Sequence, residues 1–208
     1  MKKYKIEKGT HPITGLHRIR ALKDFSNVKR GDLGGFIESE ENLDQEGYCW
    51  ISGDAEVSGN AKVSEDAEVS GRALVFGNAM VYGRAKVSED AKISEDAEVF
   101  GYAEVYGYAK VSGEARVYGY AQVYDDAKIS EDAEVYYNAV VLGNAQVSGN
   151  SVVAGDAKIS GNAEVSGDAK SKPNVTPEIL ESLPEEVSSI TISGITYTKK
   201  VTWVVEEK

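Results

Sequence analysis

From Ile51 to Val165 an Ile or Val stands at every sixth residue without a slip, 20 positions in all, 16 Val and 4 Ile. Four residues after each stands a small side chain, from Ala55 to Ala169, Ala in 19 cases and Ser151 in one. Between them lie two turn formers. The first is Gly at 14 of 20 positions, as in Gly53 and Gly59, and the second is Asn or Asp at 14 of 20, as in Asp54 and Asn60. β-Branched residues prefer extended backbone and pack well on a pleated surface. Gly followed by Asn or Asp supplies turn conformations that other residues resist. A period of six keeps no face of a helix, and Gly recurs too often for a helix interior. Each hexad therefore makes one short strand and one bend. Three hexads close an 18-residue triangular coil, and coils stack as parallel β-structure.

The reading is all-β: a triangular solenoid of about 6–7 coils over residues 51–170, about 32 Å tall at ~4.8 Å per stacked strand. Runs such as VSGNAK (57–62) and VYGRAK (81–86) resemble the hexapeptide-repeat superfamily, whose motif is an aliphatic residue with a small residue four places on. The resemblance covers residues 51–170 and implies a left-handed parallel β-helix. That hand comes from the likeness alone, since parallel crossovers generally prefer the right hand.

Residues 1–50 lack the hexad. Nine Lys and Arg against three acids make residues 1–35 a +6 block, whereas residues 51–170 carry 20 acids and 10 bases, a net of -10. A solenoid end exposes unpaired strand edges, so this basic block is read as an N-terminal cap. The segment 19–51 resembles a leader of uncharacterised bacterial and bacteriophage hexapeptide-repeat proteins. The likeness rests on DF-x-x-VK-x-G-x-x-GG, here Asp24, Phe25, Val28, Lys29, Gly31, Gly34 and Gly35, then Gln45 to Ile51. It implies a phage or prophage origin and carries no activity. Residues 171–208 leave the repeat. Thr176-Pro177 reads as the start of a short helix to about Leu183, and 190–205 as a hairpin, either a cap or an oligomerisation segment.

The chemistry is sparse. Acyltransferases and zinc enzymes of this superfamily use histidines, but this chain has only His11 and His17, both in the cap. One cysteine, Cys49, excludes an internal disulfide framework. No metal site and no cofactor is expected, and a catalytic role is disfavoured. No stretch approaches the ~18 apolar residues of a membrane span. The first twelve residues lack the apolar core of a signal peptide, so the cytoplasm of a bacterial host is the expected compartment. Glu-Asp pairs such as Glu65-Asp66 and Glu131-Asp132 read as solvated corners.

Residues 18 apart should stack. One face then carries the outward column Tyr82, Phe100, Tyr118 and Tyr136, with Tyr102, Tyr120 and Tyr137 beside it. A second face carries Tyr106 and Tyr124, with Leu142 after them. The third is mostly serine (Ser94, Ser112, Ser130, Ser148), and beside it Lys92, Lys110 and Lys128 form a basic line. Aromatic ladders can simply stabilise strands. Large exposed apolar strips also mark contacts, and Tyr is favoured there. The lysine line is either a solvated face or an anion site.

Three functions follow. The leading one is a non-enzymatic, self-associating scaffold, a homo-oligomer with a trimer favoured, presenting flat faces to a host protein or other partner. The second is a phage inhibitor of host defence, mimicking nucleic acid or sequestering a nucleotide through tyrosine stacking and lysine contacts. Mimicry is weakened by arithmetic: duplex DNA carries a charge per ~1.7 Å, roughly twice the density of the prism. An acidic prism is also not a duplex-binding surface. The third is a hexapeptide acyltransferase-like enzyme, which would need a base that the repeat region lacks.

Overall fold

The computed structural model describes residues 2–8, 11, 14–169, 189–192 and 195–198. Three strands open the chain: β1 (Tyr4–Ile6), β2 (His17–Ala21) and β3 (Leu33–Ile37). They pair antiparallel in the order β1-β2-β3. The outer edge of β3 then pairs parallel with Glu56–Val57, so the cap sheet runs directly into the solenoid.

From Trp50–Ile51 onward every hexad forms a two-residue strand, the last being Glu164–Val165. Each pairs in parallel with the strand 18 residues away, as Ile51 with Val69, Val57 with Val75 and Val63 with Val81. The result is three parallel sheets wound as a three-sided β-solenoid of about seven turns. Among the described residues there is no α-helix; Glu40–Asn42 is a single 3-10 turn.

The four sequence columns map onto four structural roles. The Val/Ile column and the Ala column are buried along the length of the prism. Burying one Val side chain is worth about 1.5–3 kcal/mol, and the column repeats that gain on every face. Backbone amides bond from coil to coil, for example Glu56 N to Ala73 O at 2.9 Å and Ser58 N to Val75 O at 3.0 Å. Ser151 takes an Ala position because its hydroxyl donates to Ser148 O at 2.7 Å, so the buried oxygen is satisfied.

The first turn position has positive φ throughout. All six residues that replace Gly there adopt it: Glu65, Glu89, Glu95, Asp125, Glu131 and Tyr137. Four of these carboxylates accept from the amide of the Gly one coil later. Glu89 meets Gly107 at 3.0 Å, Glu95 meets Gly113 at 2.7 Å, Asp125 meets Gly143 at 3.1 Å and Glu131 meets Gly149 at 2.7 Å. A charge-assisted hydrogen bond thus offsets left-handed strain.

The rungs begin before the hexads do. Phe36 and Ile37 lie on the face of Glu56–Val57, Leu43 bridges Val63, and Trp50–Ile51 lies on the third face. Residues 33–51 therefore form an irregular first coil inside the segment read as cap. Asn42 holds its corner: buried, it donates to Gly59 O and Ala61 O at 2.9 Å each and accepts from Ser39 N at 2.8 Å. Near the other end, strands Ser189–Ile192 and Ile195–Thr198 form an antiparallel hairpin, and the second lies near Glu164–Val165. The helix expected to about Leu183 lies outside the described residues.

Candidate functional site

The face built on Lys62–Val63, Met80–Val81, Glu98–Val99, Arg116–Val117, Glu134–Val135 and Val152–Val153 is the aromatic face. The residue after each buried Val turns outward, because successive side chains of a strand alternate. Stacking coils then brings like rings together. Tyr82, Phe100, Tyr118 and Tyr136 form one continuous stack, each centroid 4.8 Å from the next and the planes within 6°. The rings are half-buried, since each covers its neighbours.

A charged column runs beside the rings, with Glu98 opposite Arg116 and Arg116 opposite Glu134. The Tyr82 hydroxyl donates to Glu98 Oε2 at 2.9 Å and the Tyr118 hydroxyl to Glu134 Oε2 at 3.0 Å. Both phenols are pushed up to about 12, first by loss of hydration and then by the carboxylate each one meets. These tyrosines are held neutral and oriented.

The most exposed rings lie at the corners. Tyr102, Tyr120 and Tyr137 are 47%, 61% and 63% exposed. Tyr102 stacks on Tyr120 at 4.9 Å, and Tyr137 tilts against Tyr136 at 4.9 Å. The face thus has an ordered ring ladder at its centre and solvated rings along its rim. On the second face Tyr106 and Tyr124 stack at 4.8 Å, and burial raises the Tyr106 phenol above its ordinary value.

The lysine line is real and in register: Lys92 lies opposite Lys110, and Lys110 opposite Lys128. All three are exposed and border a groove of about 580 Å³ shared with Asp90, Tyr108, Asp126 and Asn144. Among the described residues none of the three finds a carboxylate or any side-chain partner.

A second cleft, about 570 Å³, was not anticipated from sequence. Ser26 of the cap turn, Glu68 and Lys86 line it together with Tyr48, Asp66, Arg84 and Tyr102. Those last four are 18 apart, so the register could have revealed them but not the cap turn. Arg84 bonds the Tyr102 hydroxyl at 3.3 Å, covers its ring at 5.5 Å and lies 3.7 Å from Asp66. Lys3 also escaped the sequence reading. Fully buried, its ammonium donates to Glu46 O and Cys49 O at 3.0 Å each, and approaches Cys49 Sγ at 3.1 Å.

His11 lies edge-on to Phe36, 5.0 Å between centroids, and contacts Thr14 through Nδ1; His17 opens β2. Among the described residues no three His, Cys, Asp or Glu side chains converge as a metal site, and no helix is long and apolar enough to cross a membrane. Fold and faces together define a three-sided parallel β-solenoid whose flanks are patterned by stacked like residues. No protein-family model matches the chain, and no curated protein matches it.

Proposed function

We propose that this chain is a non-enzymatic scaffold: a hexapeptide-repeat solenoid, left-handed as that likeness implies, that binds through its flat faces and self-associates. The observation that carries this reading is the unbroken Tyr82–Phe100–Tyr118–Tyr136 stack with its rim of exposed tyrosines. Stacked, oriented rings lose little freedom when covered, and Tyr suits contact surfaces that are apolar in body and polar at the tip. The occupant of this face is a second copy of the chain, and a trimer is the favoured assembly. The leader over residues 19–51 supports a phage or prophage origin and, with it, action inside a bacterial host cell.

Light scattering tests the scaffold. The parent protein is an oligomer, and Tyr118→Glu with Tyr136→Glu lowers its mass by breaking the aromatic-face contact. A parent that is monomeric at all concentrations removes the reading.

Sequestration of a nucleotide is a second reading with one observation on its side. The cleft beside Ser26 has ligand dimensions and combines Tyr48 and Tyr102 with Arg84 and Lys86. Asp66 and Glu68 in the same cleft offset both cations, which is why the scaffold reading leads. Calorimetry with mono-, di- and cyclic dinucleotides decides: heat lost in Tyr102→Ala supports it, and no heat from the parent discards it.

A further inference from the structure

The serine-bearing face has its own charge pattern. Three successive coils place a lysine, a serine two residues on, and an acid two residues after that: Lys92/Ser94/Asp96, Lys110/Ser112/Glu114 and Lys128/Ser130/Asp132. The lysines stack opposite one another along the prism, and the acids stand at the corner where the chain leaves the face. Like charges directly opposed on neighbouring strands destabilise a sheet, and about 4.8 Å separates one rung from the next. Among the described residues none of the three lysines makes an ion pair, although Asp90 and Asp126 border the same groove. The lysine row therefore carries an electrostatic cost that a facing row of acids would relieve.

We infer that this face docks on the same face of a second copy, about a two-fold axis that runs parallel to the solenoid along the serine column. Such an axis keeps each rung level with its own copy and reverses the strand direction. Lys92 then meets the partner subunit's Asp96, and Asp96 meets the partner subunit's Lys92, with the same exchange on the two rungs above. The serines, midway between the rows and small, meet across the axis, and Phe76, exposed in the same column one rung before Ser94, meets its own copy. The pattern also selects the orientation. Turning the second prism end over end places lysine row on lysine row, which repels. A free polyanion would satisfy the lysines but would meet the acid row beside them. A second copy satisfies both rows at the right pitch, because its pitch is the same. The contact is isologous, uses a different face from the aromatic one and stands whether or not that face is occupied.

Seven rungs make the face roughly 29 Å tall at ~4.8 Å per rung, at the small end of specific interfaces. The contact is therefore weak and salt-sensitive. Sedimentation velocity is run on two variants, both carrying Tyr118→Glu and Tyr136→Glu so that the aromatic face cannot contribute. One adds Lys92→Glu, Lys110→Glu and Lys128→Glu; the other adds Asp96→Lys, Glu114→Lys and Asp132→Lys. Each alone is a monomer, because its face has one sign, and the equimolar mixture forms a heterodimer. That heterodimer weakens about tenfold or more between about 0.05 M and 0.5 M salt. In the otherwise unaltered chain, Ser112→Cys gives a disulfide-linked dimer on mild oxidation, whereas Ser70→Cys on the face of Tyr106 and Tyr124 does not. Dimers from either charge variant alone, a mixture that stays monomeric, or equal cross-linking at Ser70 and Ser112 would overturn the inference.

Discussion

The Tyr118 hydroxyl lies 3.0 Å from Glu134 Oε2, a donor and an acceptor on adjacent rungs of one face. Tyr82 and Glu98 repeat the arrangement two coils earlier at 2.9 Å. A phenolate beside a carboxylate would be doubly disfavoured, by lost hydration and by like charge. Both phenols are therefore pushed up to about 12. The unfolded phenol ionises near pH ~10, so these groups bind their protons more tightly when folded. Their contribution to stability is complete below about pH 10 and is lost as pH rises through about 12. A near-ultraviolet titration shows a late-ionising class of tyrosines. Glu134→Gln lowers Tyr118 only part of the way, because lost hydration, the larger cause, remains. Uniform titration of all tyrosines at the ordinary value would contradict this.

Removing Phe100 interrupts the ring stack at its middle. Phe100→Ala loses two stacked contacts, to Tyr82 and Tyr118, at a cost of roughly 1–3 kcal/mol. Urea unfolding measures it. In the parent, Tyr82→Ala and Tyr136→Ala should add within experimental error, because the two rings never touch.

Lys3 and Cys49 tie the first strand to the entry of the solenoid. Lys3→Met strands the Cys49 carbonyl without a donor and leaves Glu46 O only the long contact from Cys49 Sγ at 3.7 Å, costing roughly 1–3 kcal/mol. Burial pushes the Cys49 thiol up, an effect only partly opposed by the nearby Lys3 ammonium. A thiol reagent therefore modifies Cys49 at the rate of unfolding, and faster in Lys3→Met. Rapid labelling of the folded parent would refute that placement.

Two glycines separate conformational strain from steric overlap. Gly113 has φ +70°, and a Cβ built there would stand 2.6 Å from Glu131 N. Gly155 has φ +72° with nothing among the described residues within 4 Å. Gly155→Ala should cost about 1 kcal/mol, the left-handed strain alone. Gly113→Ala adds displacement of the next coil and should cost roughly 2–4 kcal/mol. Equal losses in thermal or urea unfolding would show that the coils part freely.

The six-residue beat made the strands, bends and buried columns legible, because each hexad solves the same local problem and its neighbours 18 residues away share its chemistry. The ring stack and the lysine line followed from that arithmetic. The first coil did not: Phe36, Leu43 and Trp50 reach their rungs through irregular spacings, with Asn42 supplying hydrogen bonds that no periodicity announces. The buried Lys3 and the cleft beside Ser26 depend on where an antiparallel cap folds back, a long-range placement without a sequence period. By itself, then, the order of residues dictated a three-sided column with repeating outer stripes. Tertiary structure alone decided which phenols reach carboxylates, where the cap folds back on the first coil and, among the described residues, which cations meet acids. Those outcomes turn on distances between coils and side-chain reach, whereas the repeat constrains only the direction in which each side chain sets out.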